Sequence, residues 1–316
     1  MKTPIIDAHS HLWLRQDTVV DGMPIRTLDR GRSLFFGEER QMLPPFMIDG
    51  RNTAEVFLSN MDYAQVGGAV VVQEFIDGIQ NDYLKEVAQK YGDRLLVCGM
   101  PEWRKLAGED GDNSGFYRQA LDLSDAGFRA LALPGHRLPV DAHGNTTLGS
   151  DEMHRTAKMM EQRGMIFSVC LADNARQIVE LREIIEECPK LKIAIGHFGM
   201  PTESLWHDQI ALARNANVMV ESGGITWLYN SEFYPFPTAM QRIREAADLV
   251  GIDHLMWGSD YPRTITAITY RMSYDFVLRS PLLTAEEQAA FLGLNAQRFY
   301  GFDTLPELPY IKNMSE

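Results

Sequence analysis

Short apolar runs recur along the chain, separated by segments in which apolar residues return every three or four positions. The separating segments have the periodicity of amphipathic helices, as in residues 54–65 and 175–187. The runs have the composition of buried strands. They lie at residues 5–11, 69–73, 95–100, 128–133, 165–171, 192–197, 217–222 and 255–260. Eight strand-like runs that alternate with helices predict an α/β fold, a (β/α)8 TIM barrel that occupies residues 1–316 as a single domain.

Two segments fall outside this alternation. Residues 12–51 follow the first strand, lack regular periodicity and are rich in arginine. Long connections in compact domains are commonly binding loops, so we predict a lid loop here. Residues 280–316 are predicted to form a C-terminal helical extension, because Thr284-Ala285-Glu286-Glu287 has the form of a helical capping box.

Polar side chains lie where three of the predicted strands end. Asp7, His9 and His11 alternate along the first strand, which sends all three to the same side of an extended backbone. His197 ends the sixth strand and Asp260 ends the eighth. The carboxyl ends of parallel barrel strands converge on one face, and imidazole and carboxylate groups suit a divalent cation. We therefore predict that His9, His11 and Asp260 bind a divalent metal, with zinc as the expected ion.

Three motifs carry a resemblance to a known family. They are Asp7-Ala8-His9-Ser10-His11, Gly196-His197-Phe198-Gly199-Met200-Pro201 and Gly258-Ser259-Asp260-Tyr261-Pro262. In order and spacing they resemble the amidohydrolase superfamily. Within it they are similar to the amidohydrolase-related branch of sugar-acid lactonases, pyrone dicarboxylate lactonase and aminocarboxymuconate semialdehyde decarboxylase. The resemblance spans nearly the whole chain and is specific for the superfamily rather than for a substrate.

The resemblance implies a division of labour among these residues. A bound divalent ion lowers the pKa of its water and polarises a carbonyl group. Asp260 orients that water or accepts its proton, and His197 hydrogen-bonds the developing oxyanion or protonates the leaving oxygen. Several metal-dependent relatives carry a histidine at the end of the fifth strand, where this chain has Cys170. Cys170 is a substitute ligand or a packing residue, His197 is a further ligand candidate, and a metal-independent reaction with Asp260 as the base stays open.

Four other residues are candidates for substrate binding. Arg129 lies on the fourth strand, where alternation puts it on the same side as Leu131 and Leu133, predicted to be the barrel interior. There its guanidinium would bind a substrate carboxylate or pair with a buried acid. The other candidates lie near strand ends or at the start of the loop, and they are Arg263, Glu221 and Trp13. Two loop residues after the fourth strand are expected to be solvated, and these are His136 and Arg137.

Net charge and cysteine content limit the classes of binding partner and indicate a compartment. The chain has 43 acidic residues against 30 Lys and Arg, a net charge of −13, which disfavours binding to nucleic acid or an anionic membrane. The three cysteines are widely spaced, and the first residues lack the apolar stretch of a secretory signal. These features favour a reducing compartment, so we expect a cytoplasmic protein. The expected partner is a small-molecule substrate, and a homo-oligomer is an open alternative.

Three functions are compatible with these residues. The leading hypothesis is a hydrolase that opens the ring ester of a small carboxylated or sugar-acid lactone by water attack. The alternative is a metal-dependent decarboxylase of an unsaturated or aromatic acid, which needs the same ligands and releases carbon dioxide. A non-catalytic binder of sugar acids is the third. Residues 128–133 contain no lysine, so the carbamate-bridged two-metal arrangement of other superfamily members is not expected.

Overall fold

A computed structural model describes residues 3–105 and 115–315. Eight parallel strands, each bonded to the next along the chain, form the central sheet. These strands are β1 (Ile6–Ser10), β6 (Gly68–Val71), β7 (Leu95–Gly99), β8 (Ala130–Pro134), β9 (Ile166–Cys170), β10 (Lys192–Ile195), β11 (Val218–Glu221) and β12 (Leu255–Met256). Backbone hydrogen bonds from Ala8 to Trp257 and from His11 to Tyr261 join the last strand to the first. The predicted (β/α)8 barrel is confirmed.

Helices cover the outside of the barrel. Asn174 and Ser150 cap two of them by accepting backbone N–H hydrogen bonds, and the predicted capping box at Thr284 and Glu287 is present. The helices are α1 (Ala54–Ala64), α2 (Asn81–Tyr91), α3 (Phe116–Asp125), α4 (Asp151–Gln162), α5 (Ala175–Glu187), α6 (Trp206–Ala211), α7 (Ile225–Leu228), α8 (Pro237–Val250), α9 (Met272–Leu278), α10 (Ala285–Ala289) and α11 (Asn295–Tyr300). A π-helical turn, Ala290–Leu294, joins the last two.

The strands divide the apolar residues into two layers. Ala130 and Ala132 of β8 belong to the cluster inside the barrel, whereas Leu131 and Leu133 pack in the cluster beneath the helices. The prediction that Leu131 and Leu133 face the interior is therefore wrong. On β8 the small side chains of Ala130 and Ala132 face the barrel interior and the larger Leu131 and Leu133 face the helices, a choice of sides that strand alternation alone does not make.

Arg129 lies away from the predicted site. It is exposed, it precedes β8, and its guanidinium lies 3.5 Å from the backbone carbonyl oxygen of Tyr300. This position is the amino end of the strand, whereas the polar strand ends are at the carboxyl side. The predicted substrate contact of Arg129 is therefore contradicted.

Residues 12–51 form an ordered sheet, which corrects the prediction of an irregular loop. Four antiparallel strands follow one another, β2 (Asp17–Val20), β3 (Met23–Thr27), β4 (Arg32–Phe35) and β5 (Glu38–Gln41). Two-residue turns at Asp21-Gly22 and Phe36-Gly37 join the outer pairs, and all four turn residues have positive φ. Such turns match the twist of a hairpin, and Asp-Gly is among their strongest sequence signals.

The C-terminal segment closes the amino end of the barrel. Phe299, Tyr300 and Phe302 pack with the apolar residues inside the barrel. The predicted helical extension is helical as far as Tyr300, and residues 302–313 continue without regular secondary structure. In the described part of the chain, none of the helices is both long enough and apolar enough to span a membrane.

Candidate active site

Three buried side chains meet at the carboxyl ends of β1 and β12. Nε2 of His11 lies 3.1 Å from Nε2 of His9 and 2.9 Å from Oδ1 of Asp260. Nε2 of His9 lies 3.8 Å from the same Asp260 oxygen. Among the described residues, these three form the one group of metal-binding side chains that converges this closely. We call His9, His11 and Asp260 the donor triad.

A β-bulge separates the histidines from Asp7. The register of β1 against β6 shifts between Asp7 and Ser10, which breaks the alternation along the strand. Asp7 accepts hydrogen bonds from the Ser259 hydroxyl at 2.5 Å and the Tyr270 hydroxyl at 2.6 Å, so it joins β1 to the segment after β12. The prediction that Asp7 shares a side with the two histidines is therefore wrong, because strict alternation does not survive the bulge.

Glu221, at the end of β11, fixes the orientation of His9. Its Oε1 lies 2.6 Å from Nδ1 of His9 and accepts the backbone N–H of His197 at 3.2 Å, while its Oε2 accepts the N–H of Gly223 at 2.5 Å. The carboxylate therefore accepts a hydrogen bond from Nδ1–H of His9, which leaves Nε2 with its lone pair facing the triad. Glu221 does not line the cavity, so it supports His9 rather than contacting a substrate as predicted.

The donor triad fits a divalent cation. Two ligands about 2.1 Å from a zinc ion lie about 3.0 Å apart at a right angle and about 3.4 Å apart at the tetrahedral angle. The observed spacings of 2.9, 3.1 and 3.8 Å span this range. Burial and the nearby charge of His11 lower the pKa of His9 to about 3, so its lone pair is available.

The second nitrogen of His11 supports the same conclusion. Nδ1 of His11 is buried without a hydrogen bond among the described residues, and its nearest acidic atom is Oδ2 of Asp77 at 3.7 Å. With its proton on Nε2, His11 donates to Asp260 and leaves Nδ1 buried without a partner among the described residues. With its proton on Nδ1, which then faces Asp77, Nε2 is free to bind a cation.

His197 stands beside the triad with one nitrogen committed. Its ring centroid lies 4.5 Å from that of His9, and its Nδ1 donates to the carbonyl oxygen of Gly223 at 2.9 Å. Nε2 of the neutral ring therefore lacks a proton. Burial and the charge of His9 lower the pKa of His197 to about 4, so the ring is neutral near pH 7. In this state His197 accepts a hydrogen bond, whereas the predicted oxyanion contact needs a donor.

Asp260 is held by groups on several elements. Its Oδ2 accepts the indole N–H of Trp227 at 2.8 Å, and Arg263 lies 3.7 Å from its Oδ1. Burial alone would raise the pKa of Asp260, but the hydrogen bond of His11 and the charge of Arg263 hold it well below the usual value. Asp260 is therefore held as a carboxylate, the form that binds a metal.

A cavity of about 650 Å³ opens above these residues. Its walls include His11, His197, Asp260, Cys170 and Arg263 from the predicted set. Further lining residues come from the inserted sheet and from the loops after β6 and β8, and these are Phe35, Arg40, Met42, Glu74, His136 and Arg137. The inserted sheet therefore stands over the cavity, at the place where a lid was predicted.

Two predicted residues stand outside the donor triad. Trp13 is fully buried, packs with Leu43 and Met47, and donates its indole N–H to the carbonyl oxygen of Gly50, so it anchors the insertion instead of lining the cavity. Cys170 lines the cavity but is outside the converging group of His9, His11 and Asp260, and burial raises the pKa of its thiol well above the usual value.

Sequence reasoning missed several cavity residues. Trp227 lies on the short helix α7, and no local pattern marks it. Glu74 follows β6 by three residues and continues the run of polar strand ends, so its position was a usable signal. Arg137 was expected to be solvated, yet its Nε is buried and makes no hydrogen bond within the described residues.

A parallel (β/α)8 barrel with two histidines from its first strand and an aspartate after its last has polar side chains at the face where barrel enzymes build their active sites. The sequence profile of the amidohydrolase family matches residues 6–302, and the chain belongs to this family. No curated protein sequence gives a significant match.

Solved structures share the fold. A probable 2-pyrone-4,6-dicarboxylic acid hydrolase from Acinetobacter baumannii, with citric acid bound, is 18% identical with a TM-score of 0.67, covering 94% of this chain and 99% of that one. A zinc-bound amidohydrolase from Burkholderia multivorans is 20% identical with a TM-score of 0.65, covering 96% and 100%. The 2,6-dihydroxybenzoate decarboxylase from Rhizobium is 15% identical with a TM-score of 0.56, covering 80% and 90%.

Proposed function

We propose that the protein is a hydrolase that opens the ring ester of a small carboxylated lactone by water attack. One observation carries the proposal: the donor triad borders the same cavity as Arg137, whose Nε makes no hydrogen bond within the described residues. The first group suits a reacting carbonyl and the second suits a carboxylate elsewhere on the same small molecule.

The surroundings of Arg137 support its role as the binding site for a substrate carboxylate. Its guanidinium contacts Glu74 only at 3.7 Å and lies 5.5 Å from the ring centroid of Phe36 on the inserted sheet. Arg263, in contrast, gives both of its short contacts, at 2.8 Å, to Asp77. Nε of Arg137 makes no hydrogen bond within the described residues, so its N–H is available to a ligand. The guanidinium of Arg263 is instead occupied by Asp77.

A divalent ion, for which we propose zinc, would be held by His9, His11 and Asp260, and when bound it supplies Lewis acidity that polarises the ester carbonyl. Asp260 stays ionised and accepts the proton of the attacking water. Trp227 fixes the carboxylate by binding its Oδ2. His197 offers its free Nε2 as a second acceptor, which orients the water.

The test is proton release, followed with a pH indicator, over a panel of sugar-acid and dicarboxylate lactones. Wild type and Asp260→Asn are compared, each with added zinc and after chelation. Asp260 has a φ of 59°, a conformation that asparagine also tolerates, so the variant should fold. We expect wild type to release protons from at least one lactone and Asp260→Asn to release none. If wild type releases no protons from any lactone under any of these conditions, the proposal is wrong.

Decarboxylation is the second candidate, and it draws support from the fold shared with a dihydroxybenzoate decarboxylase. The same donor triad would then polarise a substrate carboxylate or an adjacent oxygen. Carbon dioxide released from an unsaturated or aromatic acid, without lactone opening, would favour it. Tight lactone binding without turnover would instead favour the non-catalytic binder.

A further inference from the structure

A second pair of titratable side chains borders the cavity, apart from the donor triad. Nε2 of His136, which follows β8, lies 2.8 Å from Oε2 of Glu74, which follows β6. Both residues line the cavity. The proposed function as described above uses neither of them, and we call them the His136–Glu74 pair.

The hydrogen bonds of Glu74 determine which nitrogen of His136 is available. Oε1 of Glu74 accepts the backbone N–H of Phe75 at 2.7 Å, so the carboxylate is fully engaged and Nε2 of His136 is a donor to it. Nδ1 of His136 makes no hydrogen bond within the described residues. The imidazole side chain is 28% exposed, whereas the Glu74 side chain is 9% exposed. In the pair, the buried carboxylate of Glu74 therefore contacts the more exposed imidazole of His136, which lines the cavity.

The pair is close to the reacting centre. A narrow recess at the base of the cavity is lined by both histidines of the triad, by His197 and by Glu74. Glu74 therefore lines this recess together with the histidines of the triad and also contacts His136. A molecule whose carbonyl lies at the triad has the rest of its ring in the cavity that His136 and Glu74 border.

Ester opening needs a proton at the leaving ring oxygen. This oxygen becomes an alcohol only if a proton reaches it as its bond to carbon breaks. Asp260 can return only the proton that it takes from the attacking water, and His197 gives its one proton to the carbonyl oxygen of Gly223. His136 borders the same cavity, its Nε2 donates to Glu74, and its Nδ1 makes no hydrogen bond within the described residues, so the ring is placed to act as a second donor.

We propose that His136 is the general acid of ring opening and that Glu74 positions it, an inference that rests on the proposed lactone hydrolysis. The water oxygen forms a bond to the carbonyl carbon and its proton passes to Asp260. The bond between that carbon and the ring oxygen breaks, and Nδ1 of protonated His136 gives its proton to the ring oxygen. Solvent then takes the proton from Asp260 and returns one to His136, so the net reaction is lactone plus water to hydroxy acid.

The test compares two carboxylated lactones that differ in their leaving oxygen. D-Glucaro-1,4-lactone leaves as an aliphatic alcohol, which needs a proton, whereas 2-pyrone-4,6-dicarboxylate leaves as a stabilised enol. His136→Gln should lower kcat/KM for the aliphatic lactone by about 100-fold or more, and for the enol lactone by less than about 10-fold, because general acids assist poor leaving groups most. A residue that only supported the loop would affect both lactones equally.

Two further variants separate positioning from structure. Glu74→Gln keeps the shape and removes the charge, so it should reproduce the same substrate dependence at about 10-fold on the aliphatic lactone. His154→Gln is the matched control, because His154 also forms a short contact with a glutamate, 2.6 Å from Glu187 on the outer surface. It should leave both rates unchanged.

Equal losses on both lactones, or no loss, in His136→Gln would overturn this inference while the proposed hydrolysis stands. A wild-type protein that opens no lactone of the panel would overturn both proposals at once. Far-UV circular dichroism and metal content of each variant, compared with wild type, show whether a lost rate comes from a lost fold.

Discussion

Replacing Glu221 tests whether the support of His9 determines metal affinity. Glu221 accepts hydrogen bonds from His9, His197 and Gly223, at 2.6, 3.2 and 2.5 Å. In Glu221→Gln, the amide NH₂ must face at least one of these donors, so at least one contact is lost. If that contact is the one with His9, the imidazole is no longer fixed in the tautomer that presents Nε2 to the cation.

The expected loss follows from the role of such partners. Removing the hydrogen-bond partner of a metal-binding histidine typically lowers metal affinity by about 10- to 100-fold, which is about 1.4–2.7 kcal/mol. Zinc affinity is measured by competition with a chromophoric chelator at pH 7. The matched control is Glu180→Gln, because Glu180 is also fully buried and accepts hydrogen bonds from the backbone N–H and hydroxyl of Thr146, away from the cavity.

The control should lose stability in urea and keep its zinc affinity. A Glu221→Gln protein that binds zinc within about twofold of wild type would refute the reasoning, because a twofold change is only about 0.4 kcal/mol. Equal losses of zinc affinity in both variants would also refute it, since any buried-charge change would then have the same effect.

Three other predictions follow from the same geometry. Trp227→Phe removes the N–H on Oδ2 of Asp260 and should lower kcat by about 10-fold with little change in fold, measured by steady-state kinetics and circular dichroism; an unchanged kcat would contradict it. Burial lowers the pKa of His197 from 6.5 to about 4, so between these pH values unfolding is accompanied by uptake of a proton. The contribution of His197 to the stability of the protein, measured after metal has been removed with a chelator, is therefore present above pH 6.5 and is lost as pH falls. Urea unfolding at pH 7 and 5 should therefore show a smaller difference for His197→Gln than for wild type, and equal differences would refute this. Arg137→Gln should raise KM for a carboxylated lactone by about 10-fold or more while Arg129→Gln leaves it unchanged, and the reverse result would contradict the assigned carboxylate site.

The barrel and the triad could be predicted because both depend on local sequence patterns. Each strand is an apolar run with a clear end, and parallel strands bring those ends to one face whatever the loops do. His9, His11 and Asp260 therefore converge without any long-range information. The bulge after Asp7 could not be predicted, because an extra residue in one strand is set by its pairing with the neighbour.

The residues on the substrate side of the cavity were harder to predict from the sequence, because their positions depend on which tertiary contacts each side chain makes. Arg129 and Arg137 are both arginines near the fourth strand, and only the structure shows that one meets the carbonyl oxygen of Tyr300 while the other meets the cavity. Trp13 looked like a loop aromatic and is instead the anchor of the inserted sheet. The dipeptide Asp21-Gly22 is a typical hairpin-turn sequence and indicates the inserted sheet. The strands on either side were not predicted, because they lack a long alternation of apolar and polar residues.

The most direct test of lactone hydrolysis at this site is the mass of the product formed in ¹⁸O-labelled water. Purified wild-type protein with zinc is incubated with the lactone that releases protons, and the product is examined by mass spectrometry beside the Asp260→Asn protein. Hydrolysis at the donor triad predicts a hydroxy acid heavier than the lactone by one labelled water, with the label in its carboxylate, and no product from the variant. A product that has lost carbon dioxide, or a labelled hydroxy acid formed equally by Asp260→Asn, would contradict it.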